Sequence, residues 1–470
     1  MLKCFNSLKF IFLSIFIISI PTDFLKASDD QKKIQTLNEL NNSGFYYTII
    51  PWIKDALNQS AESGTKISTQ YEEVLSKVIK VTGVKSFETL SITSLSRSNN
   101  PHIRFTHAKK LLKRKQYDEA LKLLQNINED SSIYPYVLHL RGTLFALTNK
   151  FDESVSEFRK CQKESRRQES SESGLSQKQL KINADYCLLG EARSYFTVKD
   201  FKNAELKYLD IDKESFVWPE ILFEEAWNSY YLKNYNRALG KLVTYNAPIF
   251  DYYFNPEISV LNALSYMRLC MYKDVNKVAN QFYQTYLQPT KDLREFLLQH
   301  GKNYQFYFEL IQEFEKTRKA NNPLMDRLLK SILREGAYLE IKKSFLGLLQ
   351  EKQLLENQSG KVKDILDRNA EGMIKFYSLL MGGYVRKQLL YFYTQLFKAF
   401  DGISYIKLEV LSQKKEQLYS DTFKPGKRGD PIYLEKNDKQ YRWDFMYEFW
   451  ADELGDYVFA LASECNGSGS

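Results

Sequence analysis

The sequence predicts an all-α protein built largely from repeated helix pairs. Two observations carry this. Tyr117, Phe151, Phe201, Tyr235 and Tyr272 recur at steps of 34, 50, 34 and 37 residues, and 34 residues is the length of one antiparallel helix pair that stacks on its neighbours. Composition agrees, with 32 Tyr and 31 Phe against 20 Gly and 11 Pro in 470 residues, which suits packed helices rather than disorder.

The first element is a targeting segment. Lys3 and Lys9 flank the start of "FIFLSIFIISI", an 11-residue apolar run, and small Ala27 precedes Ser28. That order is expected of a secretory signal over residues 1–27; a bilayer span needs about 20 apolar residues. The alternative is an uncleaved anchor. Removing residues 1–27, with three lysines and one aspartate, takes the net charge from +8 to +6, mildly basic for so long a chain.

Residues 28–100 read as a helical N-terminal cap region. "YEEVLSKVIKV" has apolar residues at helical spacing, and "SFETLSITSL" reads as a degraded second helix. Five units are expected over 101–285. Three residues after each aromatic come Ala120, Ser154, Ala204, Ala238 and Val275, mostly small, and nine before come Ala108, Gly142, Ala192, Ala226 and Ala263, all small. Small residues let two helices approach where they cross. Pro101, Pro135, Pro219 and Pro256 lie sixteen before, where a missing N–H costs a first turn nothing. The longer third step holds a polar insertion, Lys163–Gln179, read as a solvated loop or a helix extension. Residues 286–423 lose the register and read as long helices. "KPGKRGDP" opens a basic linker, and "YEFWADELGDYVFALASEC" is expected to be an aromatic C-terminal helix, completing 424–470.

These units resemble the tetratricopeptide repeat family over about residues 101–285, although the Trp frequent in its first helix is replaced by Arg104, Leu138, Leu188, Leu222 and Ser259. The stretches "WPEILFEEAWNSYYLKNYNRALGKLVTYNAPIFDYYFNPEISVLNALSYMRLCMY" and "YEFWADELGDYVFALASEC" are similar to exported repeat proteins of predatory and gliding bacteria. That resemblance implies a periplasmic scaffold, in some members tied to envelope-spanning gliding machinery, and supplies no catalytic residues.

The residues point to no chemistry. His102 and His107 are five apart, not the four of a helical zinc pair. No Cys-x-x-Cys, phosphate loop or Gly-x-Ser-x-Gly occurs. Asp118/Glu119 and Asp152/Glu153 open second helices, where the helix dipole favours acids. No enzyme activity, metal or cofactor is expected, and dispersed cations make nucleic acid an unsuitable partner. Beyond the signal four cysteines remain. Cys161 and Cys187 flank the insertion, on helices expected to be neighbours; the readings are a disulfide or two buried thiols.

First helices of such units line a concave face suited to an extended peptide or partner helix. The expected groove comprises Phe105, Lys109, Tyr136, His139, Arg193, Phe196, Phe223, Trp227, Tyr230, Tyr231 and Arg268, with Lys113, Tyr186 and Met267 beside them. The expected partner is another envelope protein or peptide. The alternative is a glycan stacked on the same aromatics, with Glu220 and Glu224 nearby. Packing between units is the competing role for each aromatic.

Overall fold

Five times along the chain an aromatic residue opens a helix. In the computed structural model, which describes residues 30–356, 361–418 and 434–465, α5 (Pro101–Lys113) is followed by α6 (Tyr117–Gln125). Then α7 (Tyr134–Leu147) pairs with α8 (Phe151–Glu169), and α9 (Gly174–Thr197) with α10 (Phe201–Tyr208). α11 (Trp218–Tyr231) pairs with α12 (Tyr235–Val243), and α13 (Glu257–Arg268) with α14 (Tyr272–His300).

The turns within these pairs are alike. Lys115, Asn149, Lys199, Lys233 and Cys270, each two residues before the aromatic, have φ of 58–65°. The next amide in each case donates to the carbonyl five residues back, as Gln116 does to Leu111 and Asn234 to Ser229. This is the Schellman closure, which satisfies carbonyls a helix end leaves free. Here it is made without glycine.

The small-residue columns are buried. Ala108, Ala192, Ala226 and Ala263 are fully covered, as are Ala120, Ser154, Ala204, Ala238 and Val275. At Gly142 a Cβ would lie 2.9 Å from the Phe158 ring, inside van der Waals contact. Helix against helix is dispersion-packed at these crossings.

The ends of the chain converge. α1 (Asp30–Asn42), α2 (Ile50–Ser63), α3 (Thr69–Thr82) and the one-turn α4 (Ile92–Leu95) precede the pairs; α15 (Tyr304–Thr317), α16 (Pro323–Arg334), α17 (Gly336–Leu355) and the 58-residue α18 (Lys361–Leu418) follow them. One apolar core runs from Ile34, Leu57 and Val78 to Tyr307, Leu348, Tyr377 and Leu389. Its polar clasp is Glu351, whose carboxylate accepts the amides of Tyr46, Tyr47 and Thr48 at 2.7–2.9 Å. The pairs α5–α14 therefore leave from and return to one shared body. Among the described residues the protein is all-α, 74% helical with 18 helices.

Several expectations change. "SFETLSITSL" is a 3-10 turn (Lys85–Thr89) and then α4, because Ser91 caps a new helix by accepting the Ser94 amide. The insertion takes the helix-extension form of its two expected readings, lengthening α8 and α9 and leaving a short turn at 170–173. The boundary at 285/286 falls inside α14, which carries Pro289 in its interior.

The aromatic tail is not a helix. It forms turns and two short parallel strands, β1 (Trp443–Asp444) and β2 (Tyr457–Val458). Tyr447 and Gly455 have φ of 70° and 86°, which no α-helix accommodates. The tail's polar backbone is satisfied by α12 instead: the Phe459 amide donates to the Asn236 carbonyl at 3.1 Å, and Asn236 Nδ2 to the Leu461 carbonyl at 3.1 Å. Tertiary docking outweighs local propensity here.

Cys161 and Cys187 are joined as a disulfide between α8 and α9, with Cα atoms 5.9 Å apart. A second disulfide, Cys270–Cys465, ties the tail to the turn before α14, with Cα atoms 5.1 Å apart. The expected signal (1–27) and the "KPGKRGDP" segment lie outside the described residues.

Candidate functional site: an aromatic strip on the first helices

Side chains four apart on a helix share a face, so Trp227 and Tyr231 project together from α11. The structure places Trp227 against Tyr231 in a stacked pair at 5.9 Å, with Tyr230 edge-on to both at 5.6 and 5.8 Å. Phe196 of α9 meets Tyr231 edge-on at 5.6 Å. Arg268 of α13 donates through Nε to the Tyr230 hydroxyl at 2.9 Å and lies over its ring. Five of the expected residues, from three units, thus form one connected strip.

Its two remaining members are Phe201 and Tyr235. Phe201 stacks on Tyr231 at 5.0 Å and 6°, and Tyr235 meets Tyr230 at 5.4 Å. Both belong to the aromatic column that starts second helices, and that regularity reads as packing alone. Their lateral contact with the neighbouring first helix is a tertiary feature.

Exposure grades along the strip. Tyr231 is 42% exposed. Phe196, Trp227 and Tyr230 are half-buried, and burial holds Glu257 above the usual carboxylate range, with Lys398 and Trp227 opposing. Phe223 is packed between Trp218, Leu222, Ala226 and Leu261 and serves the core more than the strip.

The other expected residues lie apart. Lys109 sits over the Phe105 ring and bonds Glu88 at 2.9 Å. His139 stacks on Tyr186 at 6.3 Å; burial holds its imidazole at about 4, against a weaker opposing bond from Asn183. Tyr136 is half-buried, and burial raises its phenol. Arg193 is spent on Glu224 and Glu220, reaching the former through Nε at 3.0 Å.

α18 packs against α13 and α14. Burial raises Tyr391, as do the carboxylates of Glu220 on α11 and Glu257 on α13. The described tail residues pack on α10, α11 and α12 and the loop before α11, and the Glu464 amide donates to the Leu269 carbonyl at the end of α13. A cleft of about 720 Å³ lies elsewhere, between Tyr245, Asp251 and α16. Of the three cations lining it, Arg327 donates to the Tyr253 carbonyl and Lys330 pairs with Asp326 at 2.8 Å.

Among the described residues no group of three or more His, Cys, Asp or Glu could hold a metal, and no helix is long and apolar enough to cross a membrane. No protein-family model matches the chain, and no curated protein matches it.

Proposed function

We propose that this chain is a non-catalytic interaction scaffold of the bacterial periplasm. Its five helix pairs act as a solenoid of tetratricopeptide type that binds an envelope partner through the first helices. The observation that carries this reading is the connected strip Phe196–Tyr231–Trp227–Tyr230–Arg268. Contiguous aromatics with a half-free face bury much area at little entropic cost, and such residues dominate binding energy. The glycan alternative needs carboxylates free to take sugar hydroxyls. Glu220 and Glu224 are held by Arg193, which favours a protein partner.

Membrane association then runs through partners or an uncleaved signal. Trp227→Ala with Tyr231→Ala tests the binding face. Partner capture from crosslinked cells is expected to fall by tenfold or more, from about 2 kcal/mol per hot-spot aromatic, with the helical circular dichroism unchanged. Undiminished capture by the folded double variant refutes the assignment. The N-terminus of protein recovered from cells tests export: a start near Ser28 is expected, and intact Met1 in the membrane fraction turns the reading to an anchored protein.

A further inference from the structure

The tail, which packs on α10 and α12, carries a second group of exposed aromatics. Tyr441, Trp443, Met446, Tyr447 and Trp450 are all exposed, Tyr447 at 78% and Met446 at 72%. Five large apolar side chains within ten residues exceed the scatter expected of a solvated loop.

They are displayed on a fixed frame. Phe445 turns inward, 5.3 Å from Tyr457 and 5.2 Å from Phe449. The Trp450 amide donates to the Tyr457 hydroxyl at 3.0 Å. β1 pairs with β2, and the Cys270–Cys465 disulfide anchors the end of the segment. Ordering these rings costs little on binding, because the fold has already ordered them.

Charge selects the occupant. Asp444, Glu448 and Asp452 are exposed in the same stretch of chain, and among the described residues none is in an ion pair. Of the cations beside the segment, Lys439 pairs with Asp210, Lys213 with Asp456, and Arg442 donates to the Leu434 carbonyl. Ring faces carry negative potential and attract cations, so rings and carboxylates act together. An anionic membrane surface would be repelled.

We propose that this surface binds a basic peptide segment of another protein, with Lys or Arg side chains laid over Trp443, Tyr447 and Trp450 and flanked by the three carboxylates. This site is independent of the strip on the first helices.

The test uses the full chain and a fluorescent octapeptide of alternating Lys and Phe, with an alternating Glu and Phe octapeptide as counterpart. The basic peptide is expected to bind about tenfold or more tightly than the acidic one, and increasingly weakly as salt rises. Trp443→Ala, Tyr447→Ala and Trp450→Ala together should weaken it about tenfold or more. Asp444→Asn, Glu448→Gln and Asp452→Asn together should erase the preference; these exposed, near-isosteric changes keep the test valid if the aromatic variant misfolds. Trp227→Ala with Tyr231→Ala should leave binding unchanged. Equal affinity for the two peptides overturns the proposal. So does stronger binding to phosphatidylglycerol vesicles or to chitotetraose, or loss of binding in the Trp227/Tyr231 variant.

Discussion

Gly240 sits inside α12, where helix propensity alone favours alanine by up to about 1 kcal/mol. The structure predicts the opposite sign. A Cβ at Gly240 would collide with the carbonyl group of Tyr457 and stand 2.8 Å from the Val458 amide nitrogen. All are backbone atoms, so no side-chain rotation relieves the clash and β2 must withdraw. Withdrawal exposes Tyr457, Val458 and Phe445, now 1%, 0% and 8% accessible. At about 2 kcal/mol for each buried apolar side chain, full undocking costs about 6 kcal/mol, and partial relaxation about 3 kcal/mol. Gly240→Ala should therefore weaken local tail docking by about 3–6 kcal/mol. The assay is hydrogen exchange at residues 443–461, which reads local opening separately from global unfolding. Gly372 of α18, which has nothing within 4 Å of a built Cβ, is the control: Gly372→Ala should be neutral to stabilising. Unchanged tail protection in Gly240→Ala refutes the packing described here.

Glu225 and Lys241 form a buried ion pair; Lys241→Met alone should destabilise by about 3–5 kcal/mol in urea unfolding, while Glu225→Leu with Lys241→Met recovers most of it. Cys465→Ser opens a loop of sequence separation 195, worth about 5 kcal/mol in the chain-entropy model, and should raise amide exchange across 443–465. His139 is held near 4 by burial against an ordinary value of 6.5. The unfolded chain then binds more protons, so this contribution is complete above about pH 6.5 and is lost as pH falls towards 4, up to about 3 kcal/mol. His139→Gln should flatten the stability profile in that window, and an unchanged slope refutes the assignment.

The helix pairs were legible because their signals are local. An aromatic at each second-helix start, a small residue nine before it and a small residue three after it all serve contacts between helices adjacent in sequence. Phe151 and Gly142 lie in one pair, and each period repeats the same packing problem. On the first helices, spacing alone placed Trp227 and Tyr231 on one face.

What only the tertiary structure decided involves partners distant in sequence. Ile34 and Leu389 share one core, and no period in the chain relates them. Phe201 completes the strip because α10 brings it beside Tyr231, a contact its role as a helix start does not announce. The tail shows the principle most clearly. "YEFWADELGDYVFALASEC" has the composition of an aromatic helix, and its apolar residues fit a helical face. In the fold, Asn236 and the cleared backbone at Gly240 on α12, and Thr244 just after it, offer its polar groups partners, and Cys270 fixes its end. A backbone whose hydrogen bonds are met by another element need not form its own helix, and that choice belongs to the assembled surface rather than to the segment.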